Sequence, residues 1–296
     1  MPPSESASDT LSRHIATLGA LHVPARELTN DEAWSLAQWY VDNSTLADAA
    51  IPDKPARKGT LKSNQIFGVP FFEVKAFNND GIITTANATP IGTIDLRLVI
   101  FLIRLVKRLK QKWGVTKIYH LGFITANADA HGDGRAFDFV GMAGQHEGKA
   151  YEINIFSHWK RQPVELPNDF RGLKKGTQLS DWPLELAYTD TVYRLDPAKN
   201  RFLDPNKSGY KNGAFELDLA FKAFADVYDF AAGQGQDKGD NRGAPTTIGS
   251  GSAAIIHPDY PHISNPKSLK NGRDDHFQHI HIQIGDRSNP KVEVRM

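Results

Sequence analysis

Two short segments of this chain carry the side chains best suited to bind a metal ion. The first is His131-Gly-Asp-Gly-Arg-Ala-Phe-Asp138 and the second is His276-Phe-Gln-His279-Ile-His281. Together they contain four of the eleven histidines. A catalytic zinc site usually takes three protein ligands from His, Asp or Glu and leaves a fourth position for water. The two segments therefore predict a metal-dependent hydrolytic centre.

The spacing within each segment indicates how the ligands would converge. Residues two apart on a strand point to the same face, so His279 and His281 would share one surface. His131 and Asp138 are too far apart for one helix face and have two glycines between them. This favours a loop ligand followed by a ligand on the strand that the loop enters. We expect both segments to meet in one cleft.

The composition limits the kind of site and the kind of partner. The chain has 296 residues, of which 40% are hydrophobic, which is enough for a globular core. Its 35 basic and 34 acidic side chains give a net charge of +1, so the charge predicts no nucleic-acid partner. Because the chain has no cysteine, a disulfide, a thiolate zinc site and a cysteine nucleophile are excluded. Any metal must be held by histidine and carboxylate.

No membrane span and no export signal is expected. The most apolar run, Leu98-Val-Ile-Phe-Leu-Ile103, is too short to cross a bilayer and has arginines on both sides. The first ten residues lack both the basic and the apolar region of a secretory signal peptide. The sequence therefore predicts a protein made in the cytoplasm without a signal peptide.

Hydrophobic periodicity predicts the elements that would position the two segments. Helices are expected over residues 33–41, with a cap at 30–32, and over 93–110 and 214–230. Strands are expected over residues 69–77, 115–122, 135–141, 149–156 and 278–285. The pattern favours an α+β fold in which a small antiparallel sheet is flanked by helices, with the long helix packed beneath the sheet.

The same pattern divides the chain into two predicted parts. Residues 1–60 would form an N-terminal helical extension, and residues 61–296 would form the catalytic domain. Within the second part, residues 157–260 would be an insertion of loops and one helix, because the stretch from about 157 to 212 is rich in Pro, Asp, Lys and Gly.

The two metal-binding segments resemble motifs of a known group of zinc peptidases. The pattern His131-x-x-Gly134-x-Ala136-x-Asp138 is similar to the first zinc motif of the D-alanyl-D-alanine carboxypeptidase and lysostaphin-type metallopeptidases, whose second motif ends in His-x-His. The run Asp274-Asp-His-Phe-Gln-His-Ile-His281 is similar to the three-histidine run of penicillin-insensitive murein endopeptidases.

The resemblance implies a role for each histidine. His131, Asp138 and His281 would be the zinc ligands. His279 would be an acid/base or would stabilise the transition state, with His276 as a helper, in place of the glutamate of the carboxypeptidase branch.

The resemblance also implies the fold and the activity. It implies a hedgehog-like α+β core, a water activated by Zn²⁺ as nucleophile, and a peptide of bacterial peptidoglycan as substrate. The chain departs from the family where the first motif often has a serine, since Asp129 stands there, and no upstream arginine is evident. The expected function is a zinc-dependent peptidase or amidase that degrades cell walls. Such an effector or lysin would reach its substrate by lysis, non-classical export or an injection system.

Two other functions fit parts of the pattern. His131-Gly-Asp133 could be the His-x-Asp of an iron(II)/2-oxoglutarate-type oxygenase, with Arg287-Ser288 as the clamp for the co-substrate carboxylate. Two long amphipathic helices with few regularly spaced strands do not favour the β-barrel that usually carries this chemistry. The third possibility is a non-catalytic zinc-binding module, in which His279 would be dispensable. Loss of metal on replacing Asp133 would favour the oxygenase, and loss on replacing Asp138 would favour the peptidase.

Overall fold

The chain forms a mixed α+β fold, as the sequence predicts. The computed structural model describes residues 19–43, 45–46, 49–52, 56–78, 81–126, 130–158, 214–234, 255–256 and 278–284. Within these residues, helices cover one face of a large mixed sheet, and a second, smaller sheet lies beside it.

Three long helices and one short helix are described. Their bounds are α1 (Asn30–Asp42), α2 (Leu96–Trp113), α3 (Ile155–His158) and α4 (Ala214–Gln234). All three predicted helices are confirmed, although two of their starts were misplaced. Thr29 and Glu32 form the capping box of α1, so the cap comes one residue earlier than predicted.

The predicted start of α2 is wrong by three residues, because residues 93–95 are extended and pair with a neighbouring strand. Asp95 then caps the helix by accepting a hydrogen bond from the backbone N–H of Arg97. The helix ends at Gly114, whose φ of 60° lies in the left-handed region.

The five predicted strands are confirmed, except that residues 155–156 at the end of one of them belong to α3, and the structure adds several shorter strands. Their bounds are β1 (Ala49–Ala50), β2 (Lys58–Leu61), β3 (Gln65–Ile66), β4 (Val69–Asn78), β5 (Gly81–Thr84), β6 (Gly92–Asp95), β7 (Val115–His120), β8 (Ala136–His146), β9 (Lys149–Asn154), β10 (Ile255–Ile256) and β11 (Ile280–Gln283).

The main sheet is larger than predicted and is not purely antiparallel. Its order is β10-β11-β8-β7-β4-β3, with β5 on β4 and β9 on β8, which makes eight strands among the described residues. Strands β4 and β7 are parallel, whereas the other pairs are antiparallel. The parallel pair arises because α2 lies between β4 and β7 in the chain and provides the crossover that parallel neighbours require. Strands β1, β2 and β6 form the smaller sheet.

The two faces of the main sheet have different environments. On β8, Phe137 and Phe139 are fully buried in the cluster that includes the apolar face of α2. Because side chains alternate along a strand, Asp138 and Val140 point to the opposite face. Val140 belongs there to a smaller apolar cluster with Val74 and Tyr119. The helices thus cover one face, and Asp138 lies on the other.

The predicted division at residue 60 falls inside β2. Side chains from both sides of it, among them Leu36, Leu61, Phe101, Phe137 and Phe224, belong to one buried cluster. The division into an extension and a catalytic domain stays a prediction. Most of the predicted insertion lies outside the described residues, but α4 within it packs Phe224 into the core. No helix in the described ranges is long and apolar enough to cross a membrane.

Candidate metal centre

Three predicted ligands meet on the face of the sheet opposite the long helices. Asp138 on β8 lies directly opposite His281 on β11 in the antiparallel register, so their side chains share one face. His131 comes from the loop that leads into β8. We call His131, Asp138 and His281 the ligand trio.

The ligand trio has the dimensions of a metal site. The Nε2 atom of His131 lies 3.1 Å from Oδ1 of Asp138, and Nδ1 of His281 lies 2.9 Å from the same oxygen. The two imidazole nitrogens are 3.3 Å apart. Tetrahedral bonds of about 2.0 Å place ligand atoms about 3.3 Å from one another. The three atoms therefore approximate one face of a tetrahedron around an ion, with the fourth position left for water.

The electrostatics of the trio also fit a cation. Two imidazole nitrogens at this distance repel each other unless a proton or a metal ion lies between them, because an unprotonated nitrogen presents a lone pair. Burial alone would raise the pKa of Asp138, but His279, His131 and His281 outweigh it and hold the pKa well below its usual value. Asp138 is therefore an ionised carboxylate, which is the form that binds metal.

His279 lies beside the trio. Its Nε2 atom is 3.5 Å from Oδ1 of Asp138, and the residue is only 6% exposed. His279 and His281 thus both approach Asp138, in agreement with their predicted common surface. His276 lies outside the described residues, so the helper role assigned to it stays a prediction, as does the acid/base role of His279.

The loop that carries His131 needs the glycine of the motif. Gly134 has a φ of +70°, and a Cβ atom there would come within 3.0 Å of the Cα atom of Ile94. Its carbonyl accepts a hydrogen bond from the backbone N–H of Asp95 at 2.9 Å, and its own N–H donates to the carbonyl of His131 at 2.8 Å. Gly134 therefore holds the loop close against β6.

Asp133, the carboxylate of the alternative oxygenase, faces arginines. Its Oδ2 atom is 3.1 Å from Nη2 of the buried Arg135, and its Oδ1 atom is 4.0 Å from Nη2 of Arg57. The metal-compatible group in the described residues contains Asp138 and not Asp133.

A partly buried ionic cluster beside this loop was not predicted from the sequence. Asp95 and Arg97 are 1% and 2% exposed and form a bidentate pair, which Arg57 joins. Arg57 and Asp95 are 38 positions apart, and no local spacing rule connects them. The only available signal was Asp95 just before an apolar helical run, a typical N-cap position.

His120 is not part of the ligand trio. Its ring packs against Phe71 and Phe123 in the aromatic core, and its Nε2 atom lies 3.2 Å from Oγ1 of Thr89. Burial lowers the pKa of His120 to about 4, so the side chain is neutral at pH 7.

Comparisons of the chain with protein-family models, with curated proteins and with solved structures give no match. The peptidase interpretation therefore depends on the motif residues and on the geometry of the ligand trio.

Proposed function

We propose that the protein is a zinc-dependent peptidase or amidase that cleaves peptide bonds of bacterial peptidoglycan. The observation that carries the proposal is the ligand trio, whose three donor atoms lie 2.9–3.3 Å apart. They stand in the order of the family's motifs and match the spacing within each motif, although the distance between the two motifs is long. The substrate class and the hedgehog-like character of the core come from the resemblance alone. As its setting we propose a cell-wall-degrading effector or lysin that is delivered by lysis, export or injection.

The residues around the trio fit the steps of peptide hydrolysis. His131, Asp138 and His281 would hold the ion, and the charge of Asp138 offsets part of the ion's charge. Bound Zn²⁺ supplies a Lewis acid that polarises the scissile carbonyl and lowers the pKa of water toward about 7. His279, at the edge of the trio, would take up a proton and deliver it to the leaving amine.

Metal content of variants tests this proposal. We expect about one Zn²⁺ per chain in protein purified without chelator, and its loss in Asp138→Ala and in His281→Ala, because each change removes one of three ligands. Asp133→Asn is the matched control, since it changes a neighbouring carboxylate that faces arginines, and it should keep the metal. Elemental mass spectrometry measures all four samples.

Other results would contradict the proposal in different ways. Iron that is lost with Asp133 would favour the oxygenase, for which the geometry offers no support. Wild-type protein without any metal would remove the basis of the proposed chemistry. Zinc that is bound without any hydrolysis of peptidoglycan would leave a non-catalytic module.

A further inference from the structure

A buried ionic cluster, formed by Arg57, Asp95 and Arg97, lies against the loop that carries His131. Asp95 accepts hydrogen bonds from Nε and Nη2 of Arg97 at 3.1 and 2.9 Å, and from the backbone N–H of Arg97 at 2.9 Å. The Nε atom of Arg57 lies 3.1 Å from Oδ2 of the same carboxylate. We call these three residues the Asp95 cluster.

The Asp95 cluster is connected to the backbone of the metal loop by two hydrogen bonds. The backbone N–H of Asp95 donates to the carbonyl of Gly134, and Nη2 of Arg57 donates to the carbonyl of Asp133 at 3.4 Å. Both carbonyls lie within three positions of His131 in the chain. The guanidinium of Arg57 thus bridges the capping residue of α2 and the loop that presents a ligand.

We propose that Arg57 is a positioning residue of the metal centre, which sets metal affinity by holding the His131 loop against the start of α2. This inference rests on the proposed metal site. It places one residue of the predicted N-terminal extension, Arg57, in the support of the centre.

The charge balance of the Asp95 cluster distinguishes a positioning role of Arg57 from a role in neutralising the buried carboxylate. Arg97 alone pairs with both oxygens of Asp95, so removal of Arg57 does not leave a buried carboxylate without a cation. Arg57 itself is partly exposed, with 28% of its side chain accessible. Its guanidinium is therefore not required to neutralise the core, and it also contacts the loop.

The test is the Zn²⁺ affinity of the full-length chain, measured by competition with a chromophoric chelator. We expect Arg57→Met to weaken Zn²⁺ binding about 10- to 100-fold, as outer-shell changes at metal sites do. Arg57→Lys keeps the charge but not the planar fork, so it should lie between Arg57→Met and wild type. Lys62→Met is the matched control, because Lys62 is exposed and follows β2, and it should bind Zn²⁺ as wild type does.

Two further measurements distinguish a positioning role of Arg57 from a loss of folded structure in the Arg57→Met variant. The visible spectrum of bound Co²⁺ reports coordination geometry, and we expect it to change in Arg57→Met but not in Lys62→Met. The unfolding temperature of the metal-free Arg57→Met protein should stay within a few degrees of wild type.

Wild-type affinity and an unchanged Co²⁺ spectrum in Arg57→Met would overturn the inference and leave the proposed function standing. A large drop in the unfolding temperature that accounts for the loss of metal would also overturn it. If wild-type protein binds no Zn²⁺, the inference and the proposed function fall together.

Discussion

Substitution of His279 should have a different effect from substitution of a residue of the ligand trio. Its Nε2 atom approaches Oδ1 of Asp138 at 3.5 Å, but the metal-compatible group does not include it. A side chain beside the ion rather than on it can move protons without holding the metal. In the proposed peptidase, His279 would therefore separate catalysis from metal binding at a single position.

We expect His279→Ala to keep its Zn²⁺ and to lose hydrolysis about 100-fold or more, which is the usual contribution of a general acid or base. Release of soluble peptides from purified peptidoglycan measures activity, and elemental analysis measures metal. His22→Ala is the control, since His22 is an exposed histidine far from β8 in the chain. Full activity in His279→Ala would point to the non-catalytic module or to another proton carrier.

At the scale of elements, one buried carboxylate adds polar contacts to the apolar packing of α2 with α4. Asp226 of α4 accepts hydrogen bonds from Arg108 at 2.6 and 3.0 Å, from Lys112 at 2.7 Å and from Nε1 of Trp113 at 3.0 Å. Burial alone would raise the pKa of Asp226, but these donors lower it below its usual value. The carboxylate is therefore charged and attaches α4 to the C-terminal turns of α2.

We expect Asp226→Ala to lower the free energy of unfolding by about 2–3 kcal/mol. The buried indole N–H of Trp113 would lose its acceptor, whereas Arg108 and Lys112 are half-exposed and can turn to water. Urea denaturation measures the change. Asp42→Ala at the exposed C-terminal end of α1 is the control and should change the free energy by less than about 0.5 kcal/mol. Equal effects of the two substitutions would contradict this account.

The elements were predictable where the local residue types or the spacing of apolar residues favour one structure. Residues 69–77 and 115–122 are rich in aromatic and β-branched residues, residues 149–156 alternate, and the long α2 run has a broad apolar face. Residues 93–95 were assigned to α2 because their apolar residue continues the helical pattern, whereas pairing with β2 makes them extended. The parallel pairing of β4 with β7 depends on the path of the chain through α2, and no short window encodes that path.

The candidate site also has one part that was predictable from the sequence and one part that was not. The ligand trio was predictable because its residue types and motif spacing are visible locally, and the β8–β11 register then brings them together. Arg57 was not predictable, because its link to Asp95 exists only when β2 pairs with β6. The ligands follow from short motifs, and their support follows from the tertiary fold.

At the scale of the whole molecule, protonation of His120 at low pH should reduce the free energy of unfolding. Burial lowers the pKa of His120 to about 4, while Glu73 and Asp138 favour and Lys75 opposes the charged form. The unfolded chain has a pKa near about 6.5, so between pH 6.5 and 4 the unfolded state binds a proton that the folded state does not. The stability that His120 contributes is thus complete above pH 6.5 and decreases as the pH falls toward 4.

We expect the free energy of unfolding to fall by on the order of 3 kcal/mol from this group between pH 7 and 4. In His120→Phe that part of the decrease should disappear, although the loss of the contact with Thr89 lowers stability at every pH. Urea denaturation at several pH values, with chelator present so that metal binding does not contribute, gives both curves. Parallel curves for the two proteins would show that His120 is not the group responsible.

The alternation along β8 also makes the centre sensitive to how the chain pairs. Asp138 lies between Phe137 and Phe139, so a slip of one residue would turn the carboxylate into the core and two aromatic rings to the opposite face. His281 reaches Asp138 across 143 positions of sequence, which makes this contact one of the most non-local in the fold. Only chains in which β11 has paired with β8 in the correct register could thus bind a metal ion at this site. The fraction of chains that hold the ion would therefore report the fraction that has folded correctly.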